Sequence, residues 1–550
     1  MNKLKRSFWL LALAVAGCSS GSDGGDTQPP PPPPVAEISK VEAFQFLNQA
    51  SFGATESEAE RLIDMGYEAW IDDQLAKPAS LQLPYLQSVP RPDALFELQP
   101  DRSDIWFRNA IEGDDQLRQR VAFALSEILV ISQLGVLVNQ SFGMADYYDL
   151  LAVNAFGNYR ELLEQVTLHP AMGVYLSMLG NEKPDPELNI RPDENYAREL
   201  MQLFSIGLVE LNPDGTEKLD AQGRPIPTYD QSIIEGFAHV FTGWTYAGAP
   251  GFREAFPTGL NQVVPMELYP EFHDTGEKKL LGGTVLPAGQ TGEQDLSDAL
   301  DNVFQHPNVG PFITIRLIQR LVASNPSPAY VERVARTFDD NGAGVRGDLG
   351  AVVKAILLDP EARPDIRSES DGKLKEPLLR FTQLYRAFDG ASQSGRYRPL
   401  DIAYVLFGQG PLQSPSVFNF FSPFYAPPGE IRDAGLVAPE LEIATEYQNT
   451  YVTNWFFYQI FLLNQDADTS GEFPTPDTVL IDYRAEADMA GNVDALVDGV
   501  AGKLLGGEIS GSLRQEVVDV VTGIPVDDAV VRAAETIYLI ATSPEYAYQK

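Results

Sequence analysis

The chain is poor in cysteine, histidine and cations, and each shortage narrows what it can be. Cys18 is its one cysteine, so no disulfide can form within the chain. A body of this length needs none, because it can bury ample core without covalent staples. Four histidines, His169, His239, His273 and His306, are the whole supply of imidazole bases and ligands. Lysine and arginine total 40 against 77 aspartates and glutamates, a formal charge of −37. Such a surface repels phosphate backbones, so nucleic-acid binding has no electrostatic support. Acidity on this scale serves solubility more readily than it builds a site. Calcium and cationic partners stay open, and the acidic residues between Asp466 and Asp498 read as a solvated, partly loose region. No apolar run near 18 residues follows the first twenty positions, so nothing in the body is long enough to span a bilayer. Past the first 36 residues there is no Gly-x-Ser-x-Gly elbow, which argues against an α/β-hydrolase. His-Glu-x-x-His is also missing, and the histidines lie far apart, so metal and cofactor remain unassigned.

What is present begins with the N-terminus. Lys3, Lys5 and Arg6 form a positive head, Phe8 to Ala16 a short apolar run, and small residues lead into Cys18. Residues 1–17 are therefore expected to be a secretory signal peptide. Val15-Ala16-Gly17-Cys18 resembles the bacterial lipobox, which implies a lipidated Cys18 and a membrane partner reached through that anchor. More than one acyl chain makes such anchoring stable. Ser19 in place of aspartate points to the outer membrane of a Gram-negative envelope. Residues 18–36 read as a tether with six consecutive prolines, Pro29 to Pro34, extended at roughly 3.1 Å per residue. Residues 37–550 are expected to form a single α-helical domain.

Helical periodicity dominates that body, so the fold class expected is mainly α, a large multi-helix globule with small β-hairpin excursions. Val41 to Asn48 opens it, and Thr55 with Glu58 reads as a capping box. Helical spacing recurs over 115–134, 141–155, 158–168, 193–207, 230–243, 295–305, 310–323, 327–339, 348–358, 375–388, 440–463, 511–522 and 527–542. Two stretches break it. Residues 209–228 hold Asn212-Pro213-Asp214-Gly215 and Gln222-Gly223-Arg224-Pro225, turn signals that predict hairpins. Residues 246–290, rich in glycine, proline and aromatics, predict a long irregular excursion of the kind that often carries function. Gly342-Ala343-Gly344-Val345-Arg346-Gly347 fits Gly-x-Gly-x-x-Gly but follows a helix with no strand before it, so it reads as a helix–helix turn.

Several segments together resemble one bacterial family, domain of unknown function 1800. They include Phe44 to Gly53, His169-Pro170-Ala171-Met172-Gly173, Glu194 to Leu200, Phe241-Thr242-Gly243-Trp244 and His273-Asp274-Thr275-Gly276. Others are His306-Pro307-Asn308-Val309, Arg316 to Pro328, Lys375-Glu376-Pro377 and Ser414 to Asn419. The resemblance covers about residues 41–550. It implies an exported protein of unassigned activity, and a partner among neighbouring exported proteins similar to sulfatases and alkaline phosphatases.

His169, His273 and His306 sit in polar motifs that look like helix starts or loops, where they can act as bases or simply cap and close turns. His239 lies inside the predicted helix Gln231 to Phe241 and is expected to be a packed or surface histidine. The densest chemistry is Asp193 to Glu199. On a helix Glu194 and Arg198 share a face, as do Asn195 and Glu199, with Leu200, Leu203 and Phe204 on the apolar side. One reading is a buried ion pair capped by Asp193. The other is a carboxylate–amide–guanidinium cluster facing His273 and Asp274, able to polarise water or hold a metal. That second reading makes the chain an envelope or extracellular hydrolase on a polymer. It would use His273, Asp274, Glu194 and Glu199 with Asn195 and Arg198, assisted by His169 or His306. The alternative is a non-catalytic surface protein that binds or assembles an exported partner. The aromatic runs Phe418 to Tyr425 and Tyr451 to Tyr458 can stack on sugars, but at that density in a helical protein they read as core.

Overall fold

Apolar residues at three- and four-residue spacing fold into helices wherever one face can be buried, and this accounts for most of the chain. The computed structural model describes residues 38–549 apart from 93, 255, 259–260, 364–370, 398–402 and 464–474. The leader, Cys18 and the tether lie outside the described residues. The protein is mainly α, with three two-stranded antiparallel ladders: Trp244–Thr245 with Glu267–Leu268, Lys278–Lys279 with Val285–Leu286, and Lys373–Leu374 with Tyr548–Gln549. Residues from Ile38 onward form one compact unit, whose main core runs from Phe44 and Trp70 through Trp106 and Phe237 to Tyr546. Among the described residues no helix is long and apolar enough to cross a membrane.

Local chemistry sets the helix starts. Ser39 accepts from the Glu42 amide while the Glu42 carboxylate accepts from the Ser39 amide, a full capping box for Lys40–Ala50. Thr55 caps Glu56–Met65 through the Glu58 amide, but Glu58 does not reciprocate; its carboxylate accepts from Trp70 Nε1 at 3.1 Å instead. Asp230 caps Gln231–Val240 through the Ser232 and Ile233 amides. The turn predicted at 212–215 closes by a backbone hydrogen bond of 2.9 Å, and the one predicted at 222–225 closes two residues earlier, at 220–223, also at 2.9 Å, with Gly215 and Gly223 at positive φ. The 342–347 stretch is a helix–helix turn, in which Asp340 Oδ1 accepts from the Gly342 and Gly344 amides.

Two expectations need correction. The helix predicted over 115–134 stops at Ser126, and Glu127 to Ser132 beyond it are buried in turns and irregular chain. The 440–463 stretch is broken into Pro439–Glu442, Glu446–Phe457 and a wide turn over Tyr458–Leu462. In the acidic region between Asp466 and Asp498, read as partly loose, part of the described chain is helical. Arg484–Met489 and the start of Val493–Leu505 are helical, with Leu496, Val497 and Val500 buried; residues 464–474 lie outside the described set.

Two helices frame the polar face that matters for function. Asn195–Gln202 packs on Gln231–Val240, with Tyr196 meeting Phe241 edge-on at 5.0 Å. The Lys278–Lys279 strand crosses the second helix at Gly236. A Cβ at that glycine would lie 1.9 Å from the Lys279 carbonyl oxygen, so only glycine lets strand and helix touch.

Candidate functional site

Gln231, Glu235 and His239 recur every four residues, so they line one exposed side of the Gln231–Val240 helix. Glu194, at the head of the neighbouring helix, joins that line. Its Oε1 accepts from Gln231 Nε2 at 2.9 Å, and its Oε2 accepts from Arg198 at 3.0 Å. This ion pair is partly exposed, not buried as one sequence reading had it. Asn195 is exposed to solvent, whereas Glu199, one turn further on, is buried.

At the far end of the line, His239 Nδ1 pairs with Asp274 Oδ2. Asp274 Oδ1 also accepts from the Gly276 amide at 2.7 Å. The hydrogen bond from His239 holds the Asp274 carboxyl at about 2. His239, expected to be a packing or surface residue, is therefore the half-exposed imidazole of this face. The four-residue spacing of Gln231, Glu235 and His239 was the available signal.

The expected meeting of His273 with Glu194 and Glu199 does not occur. His273 is buried: its Nδ1 donates to the Thr242 carbonyl at 3.0 Å, and its Nε2 faces Asp295 Oδ2 at 3.0 Å. Lys278 Nζ reaches the same oxygen at 2.6 Å. This knot fastens the irregular excursion to the Gly292–Phe304 helix. His169 caps Pro170–Tyr175, accepting from the Ala171 amide at 3.1 Å, with Asp146 at 3.2 Å from its Nε2. His306 accepts from the Asn308 amide at 3.1 Å, and burial lowers its pKa. Both are local fasteners, and neither contacts Glu199 or His273. Among the described residues no three His, Cys, Asp or Glu side chains are placed to hold a metal ion.

Glu199 differs from all of these. Its residue is 6% exposed, and its Oε2 has no hydrogen-bond partner among the described residues. Burial raises its pKa, against the pull of Arg198. Tyr229 and Tyr175 feel its charge: burial and Glu199 push each phenol up to about 12, with Arg198 opposing at Tyr229 and Ser414 at Tyr175. A buried carboxyl whose pKa is raised, close to two phenols and a guanidinium, is equipped for proton transfer.

The Asp274 shift makes a testable statement about stability. A carboxyl held below its ordinary value stabilises the fold above about pH 4 and loses that contribution as pH falls toward 2. Asp274→Asn is expected to cost about 1–2 kcal/mol at pH 7 and to flatten the acid limb between pH 4 and 2. Urea unfolding across a pH series reads this directly; an unchanged acid limb would contradict the pairing.

A family model described as a protein of unknown function, DUF1800, matches residues 45–548. The chain belongs to that family. No curated protein and no solved structure matches it.

In this DUF1800 member, segments distant in sequence meet in a second polar cluster that sequence reasoning missed. Lys373 Nζ lies 3.2 Å from Glu376 Oε1 and 3.0 Å from Glu440 Oε1, and donates to the Gln319 and Arg320 carbonyls. Gln409 Nε2 donates to Glu376 Oε2 at 2.5 Å and to Glu127 Oε1 at 3.3 Å; Asn419 Nδ2 also reaches Glu127. Arg320 Nε is 3.5 Å from Glu127 Oε2. Burial pushes Glu127 up to about 8, whereas Lys373, Arg320 and Arg120 overcome burial to hold Glu376 at about 2. All these side chains are buried, so the cluster ties together segments distant in sequence.

Proposed function

We propose that this protein is an exported, lipid-anchored envelope hydrolase acting on a polymer, with Glu199 as its proton-donating carboxyl. The leader, Cys18 and the proline tether support export and anchoring, and Ser19 supports the outer membrane. The observation that carries the catalytic reading is Glu199, a nearly buried carboxyl with one oxygen free of hydrogen bonds. Because burial raises its pKa, Glu199 keeps its proton at higher pH than a surface glutamate does. It can pass that proton to a leaving-group oxygen, and Arg198 then favours the carboxylate that remains. Tyr175 and Tyr229, near enough to feel the Glu199 charge, stay protonated at neutral pH. His239, oriented by Asp274, is the imidazole that the polar face presents to a long substrate.

The test uses purified protein, separate suspensions of peptidoglycan, neutral polysaccharide and polyuronate, and an assay for released soluble fragments. Glu199→Gln keeps the shape and removes the proton. It is expected to slow release by about 10²–10⁴-fold, with an unchanged circular dichroism melt. Release by the variant at the wild-type rate would sink the assignment.

A second reading, a non-catalytic binding or assembly protein working with an exported sulfatase-like partner, is favoured by the exposed rings of Phe418, Phe424, Tyr447 and Phe457. Aromatic rings are enriched at interaction surfaces. Absence of any fragment release by the wild type on all three polymers would favour it.

A further inference from the structure

The Val309–Leu321 helix carries two arginines one turn apart, and they have different surroundings. Arg320 is buried, lies over the Phe421 ring at 4.3 Å, and reaches Glu127. Arg316 lies 4.8 Å from the Phe312 ring centre and 4.5 Å from that of Phe424. Its single hydrogen bond runs from Nη1 to Gln319 Oε1 at 3.2 Å, and no described carboxylate pairs with it. An arginine without an anion is out of place in a chain of −37 formal charge. The cost is real, because burial and the neighbouring Arg320 together pull the Arg316 guanidinium down to about 9. Ring contacts cover part of the guanidinium, leaving in-plane N–H groups as donors without a carboxylate acceptor.

We propose that Arg316 is an oxyanion-binding site, which takes one carboxylate or phosphate group of a ligand whose ring or apolar body lies against Phe424. The guanidinium fork suits both groups, pairing with two oxygens at once. Phe424 is 68% exposed, so it offers a free ring surface beside the charge. The negative field of the whole chain repels polyanions, so the ligand carries a single anionic group at the site. The assignment is independent of the Glu199 reading: Arg316 lies on another helix, and its test requires no turnover.

Calorimetric titration of the full chain with benzoate, acetate and inorganic phosphate, each alone, decides the matter. Benzoate should bind wild type more tightly than acetate does, and Arg316→Gln should weaken it at least about tenfold, as loss of a charged hydrogen-bonding pair does. Arg316→Lys should recover only part of that loss, because an ammonium cannot form the planar pair. Phe424→Ala alters an exposed ring and remains informative if the arginine variants misfold. It should weaken benzoate severalfold and leave acetate and phosphate unchanged. Phosphate tighter than acetate assigns the natural group as a phosphate, and the reverse order assigns a carboxylate. Benzoate binding equal in wild type, Arg316→Gln and Phe424→Ala, or no binding of any probe to wild type at millimolar concentration, overturns the proposal.

Discussion

Lys373→Met is expected to destabilise the protein by about 3–5 kcal/mol, the usual cost of removing one partner from a buried ionic cluster. The Lys373 side chain is 0% exposed. Its ammonium is the only described cation within ion-pair distance of Glu376, and the same holds for Glu440. It also gives the Gln319 and Arg320 carbonyls a donor. Methionine fills similar volume but leaves two buried carboxylates facing each other and two carbonyls short of a partner. Glu376 should then titrate well above about 2, where Lys373 helps to hold it, so the acid-side loss of stability should begin at higher pH. The measurement is equilibrium urea unfolding of wild type, Lys373→Met, Glu440→Gln and the double variant. The double variant should recover part of the loss, since it removes one stranded charge. A single-variant loss under about 1 kcal/mol would mean that water reaches the cluster.

Gly53→Ala is expected to cost about 3–5 kcal/mol although it adds one methyl group. Gly53 sits at φ +133°, where L side chains are strained, and that alone costs about 1–3 kcal/mol. A Cβ would lie 2.4 Å from Gln383 Cα and 2.7 Å from its Cβ. Relief requires moving the Pro377–Ala387 helix backbone, an overpacking cost of about 1–3 kcal/mol more. The same loop is clamped by Arg386, whose Nε donates to the Gly53 carbonyl at 2.8 Å and whose Nη1 donates to the Ile111 carbonyl at 2.7 Å. Displacing the loop breaks that clamp as well. Unfolding midpoints in urea check the expectation, and a variant within about 1 kcal/mol of wild type would show that the contact is looser than described.

Elements with one apolar side were legible from spacing alone. Tyr159–Leu168, Pro328–Asp339 and Ala529–Ala541 lie where the pattern put them. Gln99–Glu112 was not seen, because Gln99, Asp101, Arg102, Ser103 and Asp104 are buried along with its apolar residues. A helix with no solvent side has no polar stripe to mark its period. The glutamate that carries the proposed chemistry was legible as part of a dense polar stretch, and so was Asp274. The partner of Asp274 was not: His239 lies 35 residues earlier, inside a helix, and read only as a packed or surface histidine. The motif of His273 left two roles open, a base or a group that closes a turn. Burial against Asp295 and Lys278 makes it a fastener.

By itself the sequence determined family membership, a mainly helical architecture and the turns, because these rest on residue type, order and periodicity over a few neighbours. Which charges pair, and which are left alone, was decided by the tertiary structure. Lys373 meets Glu440 across 67 positions, and Arg102 donates to the Pro411 carbonyl across 309. Arg316 passes every described carboxylate by. Contacts of that kind depend on how helices come to rest against each other, and local sequence carries no record of it.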